Sequence, residues 1–210
     1  MKSYQQTQIK NLGETELLAL LSSASVIRKT KYFDFILKHL LLKNAPKKKI
    51  YEALLQTYLF AGFPSALISL KNFNKIVSAE KNYDGYDLHN YTKRGLNNCR
   101  IIYGEKFDKL IANIKGFSPE MAEWLIVEGY GKVLGRKGLS LKEREVCIIS
   151  ILAALKFKDQ LYSHINGLVR LKVKLLFVKK IFDNLSLISA NSTAKFGVKT
   201  LIEYQNRKSK

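Results

Sequence analysis

The stretch "EREVCIISILAALKFKDQLYSH" holds a glutamate and a histidine, Glu145 and His164, whose types suit proton transfer. A carboxylate beside an imidazole orients the ring and raises its pKa toward the operating range, which makes the histidine a workable general acid or base. The two are 19 residues apart (164 − 145). On one unbroken helix that spacing leaves them roughly 100° apart in azimuth and too distant along the axis to touch. They meet only if the chain breaks between them and folds back. The charged "KFKD" of residues 156–159 is where that break is expected. Two readings stand. In one the pair is catalytic. In the other Glu145 pairs with Lys142, Arg144 or a helix end, and His164 is a buried, hydrogen-bonded structural ring.

Other reactive residue types offer less. Cys99 and Cys147 lie far apart and no Cys-x-x-Cys occurs, which removes the thioredoxin-like motif and the zinc knuckle. Cys147 sits in the apolar "EVCIISILAAL", where a cysteine is expected in the core. Cys99 follows a polar stretch and is expected to be less buried; a lone redox thiol there has no partner at useful spacing. His39, His89 and His164 have no short ligand spacing, so neither a metal nor a cofactor is expected.

The elements that must position these groups read as helices almost throughout, giving an all-α class. Apolar residues recur at helical spacing in Glu14–Ile27 (Leu17, Leu18, Leu21) and in Tyr32–Leu42 (Phe33, Ile36, Leu37, Leu40). Pro46 and Pro64 open helices after short breaks, the second of them marked by Gly62. Ser118 caps a helix whose first residue is Pro119, and Ser140 with Glu143 forms a capping box. Helices are expected over Gln160–Leu171 and Leu175–Ile188. Residues 80–98, rich in Asn, Asp, Tyr and Gly, read as a loop or linker. Trp124, Phe107, Phe117 and Tyr130 are expected to pack between helical repeats.

Those repeats are a weak internal similarity. A shift of 128 (173 − 45) aligns "NAPKKKIYEALL" with "KVKLLFVKKIFD", each a short break followed by a basic amphipathic helix. Two such units would bury each other's apolar faces. In the first copy Leu17 and Ile36 stand at the positions of Glu145 and His164 (145 − 128 and 164 − 128). A site is therefore expected on the second copy alone.

The chain has 210 residues, 47% of them hydrophobic, which is enough to bury a core. No apolar run reaches bilayer length and the first twenty residues lack a signal-peptide pattern, so a cytoplasmic protein without membrane contact is expected. The net charge of +19 draws attention to anionic partners. Most of it is lysine spread from Lys2 to Lys210, with no basic stripe carrying interleaved aromatics, and nucleic acid is not expected as a partner.

The segment "GYGKVLGRKGLSLKEREVCIISILAALKFKDQLYSHINGLVRLKV" carries a family likeness. Its Gly131, Arg136-x-Gly138-Leu139, Lys142-x-Arg144-Glu145, the Leu-Ala-Ala-Leu of 152–155, and Gln160-Leu161-x-x-His164 with Gly167 resemble the carboxymuconolactone decarboxylase-like family. That family belongs to the alkylhydroperoxidase D-like superfamily. The likeness spans about residues 14–185 and is strongest over 128–171. It implies a helical bundle of the alkylhydroperoxidase D-like type, built from two tandem degenerate repeats. The expected division is 1–95 for the degenerate repeat, 96–190 for the decarboxylase-like repeat, and 191–210 for a basic tail. Lys137 stands where most members have Pro, and Lys172 where they have Gly. Phe157 and Gln160 stand where the redox branch carries its two cysteines.

The likeness implies that Glu145 and His164 match the proton-relaying pair of the redox branch. Without the dithiol, the implied chemistry is that of the decarboxylase branch, a cofactor-free lyase acting on a carboxylated lactone or related small acid. Loss of CO₂ leaves an enolate-like intermediate that needs a proton donor and cations for the acid groups. His164 is expected to donate, Arg144 and Arg136 to hold carboxylates, and Tyr130 to supply a hydroxyl. A homo-oligomer is expected. The alternatives are a peroxiredoxin or alkylhydroperoxidase-type antioxidant protein and a non-catalytic helical module with a basic surface.

Overall fold

The computed structural model describes residues 1–77, 85–189 and 191–208, and every regular element among them is helical. In chain order they are α1 (Ser3–Lys10), α2 (Glu14–Val26), α3 (Thr30–Leu42), α4 (Lys47–Leu55), α5 (Tyr58–Ile76), α6 (Leu88–Tyr103), α7 (Phe107–Lys115), α8 (Pro119–Trp124), a π-helix (Leu125–Val133), α9 (Leu141–Leu155), α10 (Lys158–Arg170), α11 (Leu175–Asn184) and α12 (Asn191–Lys208). They form two compact units. One comprises Met1–Ala79 with Gly138–Lys210, and the other Glu80–Lys137. The units divide the chain differently from the expected boundaries. The expected cut after residue 95 falls inside α6, and the expected basic tail is α12.

In the larger unit α2 and α9 pack against each other at the centre. Glu16 to Val26 of α2 and Arg144 to Ala153 of α9 are buried at every position. A helix apolar nearly all round must be surrounded, and this is why neither shows a one-sided stripe. The capping box expected at the start of α9 is present. Ser140 N–H donates to Glu143 Oε2 at 2.8 Å, and Glu143 N–H donates back to Ser140 Oγ at 3.3 Å. The helix stops at Leu155 because Lys156 turns left-handed, at φ 62°. The chain then reverses into α10, so the "KFKD" break lies where the sequence predicts it. Gly62, at φ 74°, interrupts α5 two residues ahead of Pro64.

Residues 128 apart hold the same backbone role at several places. α3 and α10 share both bounds under that shift (30 + 128 = 158; 42 + 128 = 170), and α4 and α11 share their starts (47 + 128 = 175). The left-handed residues also correspond, Arg28 with Lys156 and Asn44 with Lys172. So do the bonds that close the turns. Lys29 N–H reaches Ala24 O as Phe157 N–H reaches Leu152 O, and Ala45 N–H reaches Leu40 O as Val173 N–H reaches Leu168 O.

The smaller unit corrects the expected loop over 80–98. Residues 78–84 lie outside the described residues, but from Leu88 onward the segment is helical. Asp87 accepts from Asn90 N–H as the cap, and Tyr91, Gly95, Cys99 and Ile102 supply the buried face. Small residues let α6 approach the π-helix closely. A Cβ on Gly95 would sit 2.1 Å from Ile126 O, and one on Gly131 2.1 Å from Tyr91 O. The carbonyls of Tyr130, Gly131 and Lys132 accept from Asn98 and Arg94 side chains of α6. No single helix among the described residues is long and apolar enough to cross a membrane.

Candidate functional site

The reversal at Lys156 carries α10 back along α9 and brings Glu145 and His164 together. His164 Nδ1 donates to Glu145 Oε2 at 2.7 Å. Glu145 is 1% exposed and His164 7%. The carboxylate therefore lies behind the ring, and the ring is the member with residual surface. Phe60, from the turn ahead of Gly62, stands edge-on to the imidazole, with centroids 6.2 Å apart and planes at 79°. A buried carboxylate that fixes one ring nitrogen and an aromatic edge that limits rotation together hold the other nitrogen in one direction.

Arg144, expected to hold a substrate carboxylate, is paired inside the protein. It is 1% exposed. Its Nη2 lies 3.0 Å from Glu52 Oε2 and its Nη1 donates to Gln56 Oε1 at 3.2 Å. Glu52 is also 1% exposed, so this is a fully internal ion pair joining α9 to the end of α4. Tyr130 belongs to the smaller unit, where it is 2% exposed and its hydroxyl donates to Tyr103 Oη at 3.1 Å. That hydroxyl too is engaged internally. Arg136, in the turn after the π-helix, is partly exposed.

The cysteines are both buried. Cys99 is fully enclosed by α6 and its neighbours, against the expectation of partial exposure, because α6 continues through the stretch read as loop. Burial pushes the Cys147 thiol up to about 12, with a smaller opposing pull from Ser22 and Arg144. Phe157 and Gln160, at the positions of the redox branch's cysteines, are exposed at the start of α10. Phe117 and Trp124 are also exposed, not packed as expected. The short α8 buries Ala122 and leaves its last residue, Trp124, outward, and Phe117 lies just ahead of the Ser118 cap.

Glu143, two residues ahead of Glu145, belongs to a separate network. Lys49 Nζ bridges Glu14 at 2.8 Å and Glu143 at 2.5 Å. Burial raises the Glu143 pKa, but Lys49 and the Ser140 cap outweigh it and hold the carboxyl below its ordinary value. An open surface groove of about 610 Å³ runs along α11 and α12, flanked by Asp183, Val198 and Ile202. Neither Glu145 nor His164 lines it. Among the described residues no three His, Cys, Asp or Glu side chains cluster as a metal site.

Glu52 and Phe60 were not legible as site residues. Glu52 is the lone acid in "KKKIYEALLQ", and a lone acid between Ile50 and Leu54 on a buried face is the only hint of its pairing. No family model matches the chain, and no curated protein matches it either.

Proposed function

We propose that the chain is a divergent carboxymuconolactone decarboxylase-like protein whose larger unit is an alkylhydroperoxidase D-like bundle of two degenerate repeats. In this reading it works by cofactor-free acid/base chemistry at His164. The observation that carries the proposal is the buried 2.7 Å contact between Glu145 and His164 across the α9–α10 reversal. Two further features support it. Lys172, where the resembled family has glycine, sits at φ 62°, a conformation glycine favours. The correspondences at a shift of 128 fit two copies of one unit, the first carrying Leu17 and Ile36 in place of the pair.

With Nδ1 hydrogen-bonded to Glu145 Oε2, Nε2 is the nitrogen that exchanges a proton with the substrate. In decarboxylation of a small acid the bond to the departing CO₂ breaks and its electron pair enters the adjacent conjugated carbonyl. The imidazolium Nε2 then delivers its proton to carbon, and the neutral ring recovers one from solvent. Arg144 has no part in holding the acid, because Glu52 and Gln56 occupy it. The antioxidant alternative loses ground, since Phe157 and Gln160 carry no sulfur and the Cys147 thiol is held protonated.

The test is turnover of a carboxylated lactone by the wild type, His164→Gln and Glu145→Gln. Loss of turnover by two or more orders of magnitude in His164→Gln, with helix content unchanged, is expected of a general acid. Full activity in that variant would sink the proposal. No turnover by the wild type would refute the lactone as substrate.

A further inference from the structure

Two ion pairs in the larger unit are related by the shift of 128, with their charges exchanged. Glu16 on α2 meets Lys180 on α11 at 3.0 Å and accepts from Asn184 Nδ2 at 3.0 Å. Adding 128 to residue 16 gives Arg144 on α9. Subtracting 128 from residues 180 and 184 gives Glu52 and Gln56. Those are Arg144's own partners, at 3.0 and 3.2 Å. Three positions in each half thus make the same contacts to the other half. At each of them the amide stays an amide while acid and base trade places.

This exchange has a consequence for what each half accepts as a mate. Each pair crosses between halves, one end from the first and one from the second. If two copies of the first half packed in this way, Glu16 would face Glu52. Two copies of the second half would set Arg144 against Lys180. Either homotypic pairing places like charges at both symmetry-related contacts, and at the Arg144 end those contacts are buried. Juxtaposed like charges disfavour a wrong partner more strongly than a matched pair favours the right one.

We infer that the exchanged pairs Glu16–Lys180 and Arg144–Glu52 form a pairing code, by which each half of the larger unit selects the other half of the chain and rejects a second copy of itself. The code rests on the backbone correspondences and contacts of the larger unit and not on the proposed acid/base chemistry. It acts during folding, when halves of neighbouring chains compete for the same apolar faces.

Lys180 is the accessible handle, with its side chain 57% exposed. Lys180→Glu makes the second half self-complementary, because Arg144 of one copy would then meet a carboxylate at position 180 of another. Lys180→Gln loses the same native pair without creating that match. Lys180→Glu with Glu16→Gln keeps the new match and removes the repulsion that two carboxylates at positions 16 and 180 would set up within the chain. Lys179→Glu changes the net charge equally at a neighbouring position outside the code. Each full-length chain is unfolded in urea and refolded at matched concentration. Its mass distribution is then compared, by size exclusion with light scattering, with that of the same chain never unfolded. Wild type, Lys180→Gln and Lys179→Glu are expected to return to their starting distributions. Lys180→Glu and the double variant are expected to gain several-fold more higher-mass species. The inference is overturned if the double variant refolds as Lys180→Gln does, or if wild type or Lys179→Glu gains the same species.

Discussion

Replacing Glu52 by Gln removes one charge from an ion pair that is 1% exposed on both sides. With the nitrogen and oxygen 3.0 Å apart the charge centres lie about 4 Å apart, and at an effective dielectric of about 20 their attraction is about 4 kcal/mol. The Arg144 guanidinium then stays buried with its counter-charge gone, and the expected net loss is about 3–5 kcal/mol. For a chain of this size that lowers the thermal midpoint by roughly 6–20 °C. Against a typical domain's stability of about 5–15 kcal/mol, that is roughly a fifth or more. Replacing both partners with apolar residues, Glu52→Leu with Arg144→Met, should recover most of the loss, because no charge is left without solvation. Asp183→Asn is the internal control. It breaks the Lys179–Asp183 pair, whose side chains are half exposed, and should cost less than about 1 kcal/mol. Urea melts followed by circular dichroism measure all three, with the midpoint interpreted only where the slope is unchanged. The reasoning fails if Glu52→Gln costs no more than Asp183→Asn, or if the apolar double variant is less stable than the single.

Other expectations follow from the same geometry. Gly131→Ala should destabilise the smaller unit by about 1–3 kcal/mol, since its Cβ would fall 2.1 Å from Tyr91 O; hydrogen exchange should localise the loss to α6 and the π-helix. Cys147 should resist thiol-specific labelling in the native chain at pH 8, where a thiol raised to about 12 is roughly one part in ten thousand thiolate, and should react once urea unfolds the protein. Burial pushes the Glu16 carboxyl up, but Gly13 N–H, Lys180 and Asn184 outweigh it and hold it below its ordinary value, as Lys49 and Ser140 do for Glu143. Depressed carboxylates stabilise the fold above their unfolded pKa of about 4.5 and lose that contribution as pH falls through the folded values. The urea midpoint should therefore drop below about pH 4.5, and less steeply in Glu16→Gln; a flat profile there would count against both networks. Lys49 runs the other way. Its bonds to Glu14 and Glu143 raise its pKa, so its contribution is complete below about 10.5 and is lost as pH rises through the raised value.

The residue pattern alone determined the helical class, the capping box at Ser140 and the break at "KFKD"; it left Glu145 and His164 as one of two readings, and the packing of α10 on α9 brought them together. The class, the cap and the break each depend on neighbours in the chain or on one helical period, and such short-range rules act through local backbone geometry. The same rules misread residues 88–98, where an Asp cap and a face closed by Gly95 and Cys99 make a helix from residues that look loop-like. Arg144 shows the limit most plainly. Its type suits a carboxylate ligand, and nothing near it in sequence says otherwise. Its partners Glu52 and Gln56 stand 92 and 88 residues away, and only the packing of α4 on α9 brings them to it. Phe60 against His164 and the exchanged ion pairs belong to the same category. Burial and long-range pairing are properties of the closed structure, because an ion becomes fixed and costly only once water has been removed from both of its partners.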